Sequence, residues 1–202
     1  MQALGGADKL GEIKYITQEM KASMQGLDLK ITSIRKAPNM SFESVTAGEM
    51  ELKKMLFDGT AGVEVVQGQA KPLDEKKIQE SMVESRIVPE ISYEDLGVKL
   101  TLTGLEKVGE EDAYVVEVEQ PSGKKSYAYF SKESGLKLKE STTMETPQGS
   151  FTQSVEYHDY QEIDGIKFPH KAKIGMGPQV MEAEVVNIEL NTGVSDDVFK
   201  VE

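Results

Sequence analysis

Two histidines are the first candidates for chemistry in this chain of 202 residues, which contains no cysteine. Neither His158 nor His170 has the second histidine four positions away that a helical zinc motif requires. The Gly-x-Ser-x-Gly elbow of many serine hydrolases is also absent, although a Ser-His-Asp set scattered along the chain stays open. The sequence therefore predicts no catalytic residue, no metal site and no cofactor.

Other residue patterns that support catalysis or phosphate binding are equally weak. Gly5-Gly6 and Gly175-x-Gly177 lack the Lys-Ser/Thr pair and the strand-turn-helix setting of a phosphate-binding loop. Asp58 is a candidate catalytic acid, but Asp-Gly at 58–59 is also a strong signal for a tight hairpin turn, which accounts for the aspartate. We expect the protein not to be an enzyme.

The composition excludes several classes of partner. A net charge of −12 disfavours binding to nucleic acid and to anionic lipid surfaces, since both are polyanions. The lack of cysteine excludes disulfides and thiolate metal sites but leaves the compartment open. No apolar run approaches the roughly 20 residues of a membrane span, and residues 1–6 do not resemble a signal peptide. The chain is therefore expected to be cytosolic or a mature part of a longer precursor.

The stretch 98–160 predicts antiparallel strands, because apolar and polar residues alternate along it with a period of two. Turn signals separate these strands, among them Pro121-Ser122-Gly123 and Pro147-Gln148-Gly149. Such strands have one apolar face, which another element must cover. We predict that the following residues point to one concave, ligand-binding face: Val98, Leu100, Leu102, Tyr114, Val116, Val118, Leu136, Leu138, Phe151 and Val155.

Similar alternation before and after this stretch brings the prediction to about eleven or twelve strands in one domain, residues 1–202. A slip in the alternation at Val185-Val186 predicts a β-bulge. We predict a mainly β (α+β) fold in which the strands form a strongly curved antiparallel sheet.

A single amphipathic helix is predicted between the two blocks of strands, from Asp74 to Val88, with Asp74 as its N-cap. Its apolar residues fall at helical spacing, and we expect them to lie against the concave sheet as a lid: Ile78, Met82, Val83 and Ile87. Burial of Met82 would contribute roughly 1.5–3 kcal/mol, and Met82→Asp would destabilise the closed state.

A set of short motifs in a particular order resembles a known family. The motifs are Leu4-Gly5-Gly6, Leu10, Ile13-Lys14, Pro38-Asn39, Phe57-Asp58-Gly59, Gly62, Ala113-Tyr114-Val115-Val116, Tyr129-Phe130, Gly135-Leu136, Tyr160, Asp164-Gly165-Ile166-Lys167-Phe168-Pro169 and Ser195-Asp196-Asp197-Val198-Phe199. Together they resemble the outer-membrane lipoprotein-sorting proteins, the LolA/LolB-like carrier superfamily of the bacterial periplasm. Within it, the chain looks most like the domain that follows insulinase-type zinc peptidase modules in Bacteroidetes-like bacteria.

The resemblance implies an incomplete β-barrel whose concave face is plugged by a helix, and a location in the periplasm or cell envelope. It also implies two partners, an acyl chain of a lipid or lipoprotein and a peptidase module in the same polypeptide, whose metal motif this chain lacks. Three functions stay open: an acyl-binding module, a non-catalytic accessory domain with a packed core, and a small enzyme. An empty apolar cavity of ~300–1,000 Å³ would favour the first over the second.

Overall fold

A computed structural model describes residues 1–24, 26–146 and 149–201, and only the backbone of Glu145 and Thr146. The strands are β1 (Tyr15–Met24), β2 (Leu27–Lys36), β3 (Met40–Ala47), β4 (Met50–Phe57), β5 (Gly62–Val66), β6 (Gln69–Pro72), β7 (Lys99–Val108), β8 (Glu111–Glu119), β9 (Lys125–Ser131), β10 (Lys137–Thr146), β11 (Gly149–Ile163), β12 (Ile166–Met176) and β13 (Gln179–Leu190). The helices are α1 (Ala7–Gly11), α2 (Glu75–Glu84) and three 3-10 helices, Gln2–Leu4, Pro89–Ser92 and Asp196–Phe199. The turn predicted at Pro147-Gln148-Gly149 lies, in its first two residues, outside the described part of the chain.

All thirteen strands belong to one antiparallel sheet in the order β6-β5-β4-β3-β2-β1-β13-β12-β11-β10-β9-β8-β7. Neighbouring strands are consecutive in sequence everywhere except at the β1–β13 pair, which brings together strands from near the two ends of the chain. The sheet is curved and open, and its edges are β6 and β7. Because β6 and β7 are consecutive in sequence, the segment 73–98 must run from one edge to the other, and α2 lies in it.

The predicted fold class is confirmed, but the sheet has thirteen strands where about eleven or twelve were predicted. The additional strand is β6, whose four residues are all exposed and show no apolar alternation. It pairs with β5 because Gln67 and Gly68, with φ values of 51° and 79°, turn the chain back. A hairpin turn, rather than periodicity, therefore creates this strand.

Two other local predictions are confirmed. The register of β1 against β13 shifts so that Glu19 faces Asn187 and Met20 faces Val185, which leaves Val186 as the extra residue of a bulge. Asp58 accepts hydrogen bonds of 2.8 Å from the backbone N–H groups of Thr60 and Ala61. Burial of the Asp58 carboxyl would raise its pKa, but these hydrogen bonds outweigh that effect and lower the pKa, as expected for a turn residue.

Most of the buried apolar side chains belong to three clusters along the curved sheet. The first joins α1 to β1 and β12 through Leu10, Ile13, Ile16, Ile166 and Phe168. The second lies across β1, β2 and β13 and consists of Ala22, Leu29, Ile31, Met181 and Ala183. The third, here named the cover cluster, consists of Val83, Val98, Val118 and Ala128 and is the one that includes a residue of α2.

Within the described ranges, no helix has both the length and the apolar character needed to cross a membrane.

Gly5 is a position where a side chain has no room, and its substitution gives a first test of the fold. Its φ is +124°, and an added Cβ would lie 2.3 Å from the carbonyl oxygen of Gly165. We expect Gly5→Ala to lower the free energy of unfolding by at least about 2 kcal/mol, because left-handed strain adds to a backbone clash. Gly104→Ala is the matched control, since an added Cβ there meets no atom within 4 Å. Equal effects of the two substitutions in urea denaturation would contradict this placement of residues 1–11.

Candidate functional site

A groove of about 570 Å³ lies between the concave sheet and residues 75–92, here named the cover segment, which comprises α2 and the 3-10 helix Pro89–Ser92. The groove is partly open to solvent. Its apolar lining comes from all parts of the fold and includes Leu10, Val83, Ile87, Val118, Val155 and Phe168. Charged side chains also line it, so the groove is amphipathic rather than purely apolar: Arg35, Lys53, Glu64, Lys77, Glu84, Arg86, Glu90, Lys124, Lys137, Glu140 and Lys167.

The register of the strands places several of the predicted ligand-binding residues on one face. Leu100 is opposite Val118 and Leu102 is opposite Val116 in the β7–β8 pair. A continuous row then crosses the sheet from Val116 to Ala128, Glu140 and Val155. Directly opposite residues of antiparallel strands project to the same side, so this row belongs to the face that carries the groove.

Of the ten residues predicted to bind a ligand, Val118 and Val155 line the groove. Val98 and Val116 lie beside it, Val98 within the cover cluster and Val116 packed against it. The remaining members on β7, β8 and β11 are more exposed than predicted, with Leu100 at 55%, Leu102 at 64%, Tyr114 at 39% and Phe151 at 36%. Ligand binding by any of these residues stays a prediction.

The alternation predicted for β10 is interrupted by a β-bulge. The register against β9 shifts between Lys137 and Lys139, and the concave positions are taken by Lys137 and Glu140. Leu136 and Leu138, predicted for this face, do not line the groove, and their binding of a ligand stays a prediction. A one-residue bulge reverses the side to which the following side chains point, and nothing in the local pattern marks it.

The predicted orientation of α2 is also wrong in part. Asp74 caps the helix as predicted, since its Oδ1 accepts a 2.9 Å hydrogen bond from the Lys77 N–H. Val83 is buried and Ile78 and Ile87 are half-buried, but Met82 is 43% exposed. The buried side of the helix is instead mainly polar and consists of Glu80, Ser81 and Val83.

Polar contacts explain this orientation of the cover segment. The hydroxyl groups of Ser85 and Ser41 on β3 are 2.7 Å apart. Glu84 accepts hydrogen bonds from Gln120 Nε2, at 3.1 Å, and from Lys124 Nζ, at 2.6 Å. These partners hold α2 with its serines and glutamates toward the sheet, which turns Met82 outward.

A charged centre lies where the cover segment meets β10. Lys137 Nζ donates a hydrogen bond to Glu90 Oε1, at 2.7 Å, and lies 3.4 Å from Glu140 Oε2. The side chains of Lys137 and Glu90 are only 21% and 25% exposed. Burial disfavours both charges, but the mutual attraction outweighs it, so the pKa of Lys137 is raised and the pKa of Glu90 is lowered.

Three tyrosines surround this centre and line the groove with it: Tyr93, Tyr157 and Tyr160. Burial raises the pKa of each hydroxyl, that of Tyr160 to about 12. The Tyr160 hydroxyl donates a 2.8 Å hydrogen bond to the backbone carbonyl of Lys137. The tyrosines are therefore neutral hydrogen-bonding groups around the ion pair and are not suited to act as bases near neutral pH.

The pH dependence of stability tests this charged centre. Because the pKa of Glu90 is lowered from 4.5 in the folded protein, its stabilising effect is complete above pH 4.5 and is lost as pH falls through the lower pKa. The raised pKa of Lys137 keeps the lysine charged throughout that range. We expect wild type to be more stable than Glu90→Gln at neutral pH and the difference to shrink below pH 4.5. Urea denaturation at a series of pH values measures this, and a difference that stays constant into the acid range would contradict it.

The two histidines lie away from this centre. His158 is exposed and its Nε2 is 4.0 Å from a Glu156 carboxylate oxygen, while His170 Nδ1 is 3.0 Å from the Phe168 carbonyl oxygen. In the parts of the chain that the structure describes, no three His, Asp or Glu side chains converge as they would around a metal ion.

Lys137 and Glu90 are not among the site residues that the sequence predicted. The one sequence signal for Glu90 is its position between apolar residues, in Val88-Pro89-Glu90-Ile91, where a carboxylate is unusual unless it has a partner. Nothing comparable marks Lys137 as the partner, because the two residues come together only through the tertiary fold.

Comparison with known proteins shows similarity of structure without similarity of sequence. No protein-family model matches the chain, and no curated protein matches it significantly in sequence. A solved structure of a DUF1329 family protein from Desulfovibrio piger superimposes with a TM-score of 0.64 and 14% identity over 96% of this chain and 92% of that one. A LolA superfamily protein from Nitrosomonas europaea gives 0.61 and 13% identity, over 99% and 96%.

A domain described as an outer membrane lipoprotein-sorting protein domain, from Vibrio parahaemolyticus, gives a TM-score of 0.56 with 13% identity over 92% of this chain and 88% of that one. Identities this low show the fold and not the activity. The open, curved antiparallel sheet of this chain therefore has the same fold as these three structures.

Proposed function

We propose that the protein is a non-catalytic module of the cell envelope that binds an acyl chain of a lipid or lipoprotein in the groove. The observation that carries the proposal is the groove itself, about 570 Å³ in volume and lined by apolar residues from the sheet, α1 and the cover segment. This volume lies within the roughly 300–1,000 Å³ of sites for small ligands. The shared fold with lipoprotein-sorting structures supports the choice of an acyl ligand and of the envelope.

The amphipathic lining of the groove restricts the class of acyl ligand that it can bind. Val118, Val155 and Phe168 offer apolar contact for a chain, whereas Lys137, Glu90 and Glu140 would be unfavourable neighbours for one. An acyl chain that carries a polar head group satisfies both parts of the groove. A hydrocarbon without a head group fits less well.

Binding of acyl chains can be tested with intact protein purified from cells, by native mass spectrometry and by displacement of a fluorescent fatty acid. We expect bound lipid, and we expect Val155→Asp to weaken binding by about tenfold or more, because it places a charge beside the chain. Val180→Asp is the matched control, since Val180 is 53% exposed and lies outside the groove. Absence of lipid and of displacement in the wild-type protein would refute the proposal.

A second candidate is an accessory domain that binds another protein, such as a zinc-peptidase module of the same polypeptide. One observation favours it: edge strand β7 exposes Leu100, Leu102 and Leu105 at 55%, 64% and 56%. An unpaired edge with exposed apolar side chains is a surface onto which another strand can add. This candidate becomes the better one if the protein takes up no acyl chain and if Leu102→Lys abolishes association with such a module.

A further inference from the structure

The two carboxylates beside Lys137 differ in where they are attached. Glu140 lies on β10, three residues from Lys137, so their geometry is set by one strand of the sheet. Glu90 lies in the 3-10 helix of the cover segment and reaches Lys137 across the groove. The 2.7 Å hydrogen bond between Lys137 and Glu90 therefore joins the cover segment to the sheet, whereas the contact with Glu140 does not.

The surroundings of Glu90 combine one carboxylate with an apolar strip. Ile87 and Val88, just before it in sequence, pack against the cluster of Leu10, Ile16 and Phe168. Ile87, Val88, Leu10 and Phe168 also line the groove that contains Lys137. The cover segment therefore places a carboxylate on Lys137 and apolar groups along the adjoining wall of the groove. A fatty acid would present the same two features, a carboxylate and an apolar chain, to these surfaces.

The charge at this centre restricts what can replace Glu90. Removal of the Glu90 carboxylate without a substitute leaves the lysine, only 21% exposed, with Glu140 at 3.4 Å as its remaining partner. Loss of one member of a pair that is largely removed from water is strongly unfavourable. An incoming anion avoids this cost, because one carboxylate leaves as another arrives and the net charge at the centre is unchanged. A neutral head group offers no such exchange.

We propose that Glu90 occupies the position of a ligand carboxylate, and that the groove binds a long-chain carboxylic acid whose carboxylate replaces Glu90 on Lys137. This inference rests on the proposed function, since it assumes that the groove takes an acyl chain. It adds the head group, the residue that binds it and the residue that competes with it. When the ligand carboxylate binds, Glu90 is released, and the 3-10 helix of the cover segment loses its hydrogen bond to the sheet.

Isothermal titration of the intact protein with laurate and with dodecanol separates the head group from the chain. For wild type we expect laurate to bind about tenfold more tightly or better, because only the carboxylate can pair with Lys137. Lys137→Met should remove this preference while dodecanol binding is retained. Glu90→Gln should tighten laurate binding, because the competing carboxylate is gone. The ratio of the affinities for laurate and dodecanol should therefore increase.

Two further variants and one fold control complete the experiment. Glu140→Gln leaves the Lys137–Glu90 pair in place and should preserve the preference for laurate, whereas Lys137→Arg keeps the charge and should retain most of it. Circular dichroism of each variant establishes that the sheet is intact. The preference of the wild-type protein needs no variant, so the inference can be tested even if Lys137→Met does not fold.

The results distinguish failure of the inference from failure of the proposed function. If laurate and dodecanol bind equally well to wild type, or if Lys137→Met folds and keeps the preference, the inference is wrong while acyl binding stands. If neither ligand binds, the proposed function and the inference are both overturned. A preference for laurate that is lost in Lys137→Met and increased in Glu90→Gln supports the exchange of carboxylates.

Discussion

Replacement of Phe57 with alanine should lower the free energy of unfolding by about 3–5 kcal/mol, the cost of removing a fully buried aromatic ring and leaving a cavity. Phe57 is 0% exposed and ends β4 directly opposite Ser41 of β3. Ser41 in turn bonds to Ser85 at the end of α2. The cavity would therefore open beside a contact that holds the cover segment, and the variant should lose both global stability and protection of α2.

Urea denaturation measures the first effect and amide hydrogen exchange of residues 75–84 measures the second. Phe151→Ala is the matched control, because the same side chain is 36% exposed there. We expect the control to cost about 1 kcal/mol, in proportion to the smaller area that it buries. Similar losses in the two variants would show that Phe57 is less buried than the structure indicates.

Val83→Asp should be the most damaging substitution in the cover segment. Val83 is 4% exposed and packs in the cover cluster with Val98, Val118 and Ala128. A carboxylate there would be buried without a cationic partner, and we expect α2 to detach from the sheet at a cost of about 3 kcal/mol or more. Hydrogen exchange of α2 should then approach that of an unprotected helix while the sheet stays protected.

Met82→Asp is the matched control on the neighbouring residue. The sequence pattern predicted that Met82 would be buried and that this substitution would be destabilising. Its side chain is 43% exposed, so we now expect a change within about 0.5 kcal/mol. If Met82→Asp proves as damaging as Val83→Asp, the orientation of α2 described here is incorrect.

These expectations follow from the way in which the cover segment is attached. Its contacts include the buried Val83, the packing of Ile87 and Val88 against the first cluster, and three sets of polar contacts. The polar contacts are the Ser85–Ser41 hydrogen bond, the hydrogen bonds of Glu84 and the Glu90–Lys137 pair. The 2.7 Å Ser85–Ser41 bond and the ion pair are individually modest in water-exposed surroundings and matter more where water is excluded. A ligand that replaces some of these polar contacts and some of the apolar ones can displace such a segment.

The strands and their turns were determined by residues that are close together in the sequence. Alternation with a period of two and short turn signals such as Asp58-Gly59 depend on residues near one another in the chain, so they predict strands, hairpins and one apolar face. The same holds for the Asp74 cap and for the bulge at Val186, where the slip in phase is visible in the sequence. The class of the fold and most of its elements followed from these signals.

The groove was decided by the tertiary structure. Which face α2 buries depends on Ser41 of β3 and on Gln120 and Lys124 of the turn between β8 and β9, which meet at the helix only when the sheet curves. The bulge in β10 places Lys137 inside the groove, and Glu90, 47 residues away in sequence, meets it there. Periodicity indicates which face of a strand or helix is apolar. The partner that stabilises a buried charge comes from a distant segment, so no local pattern predicts the pair.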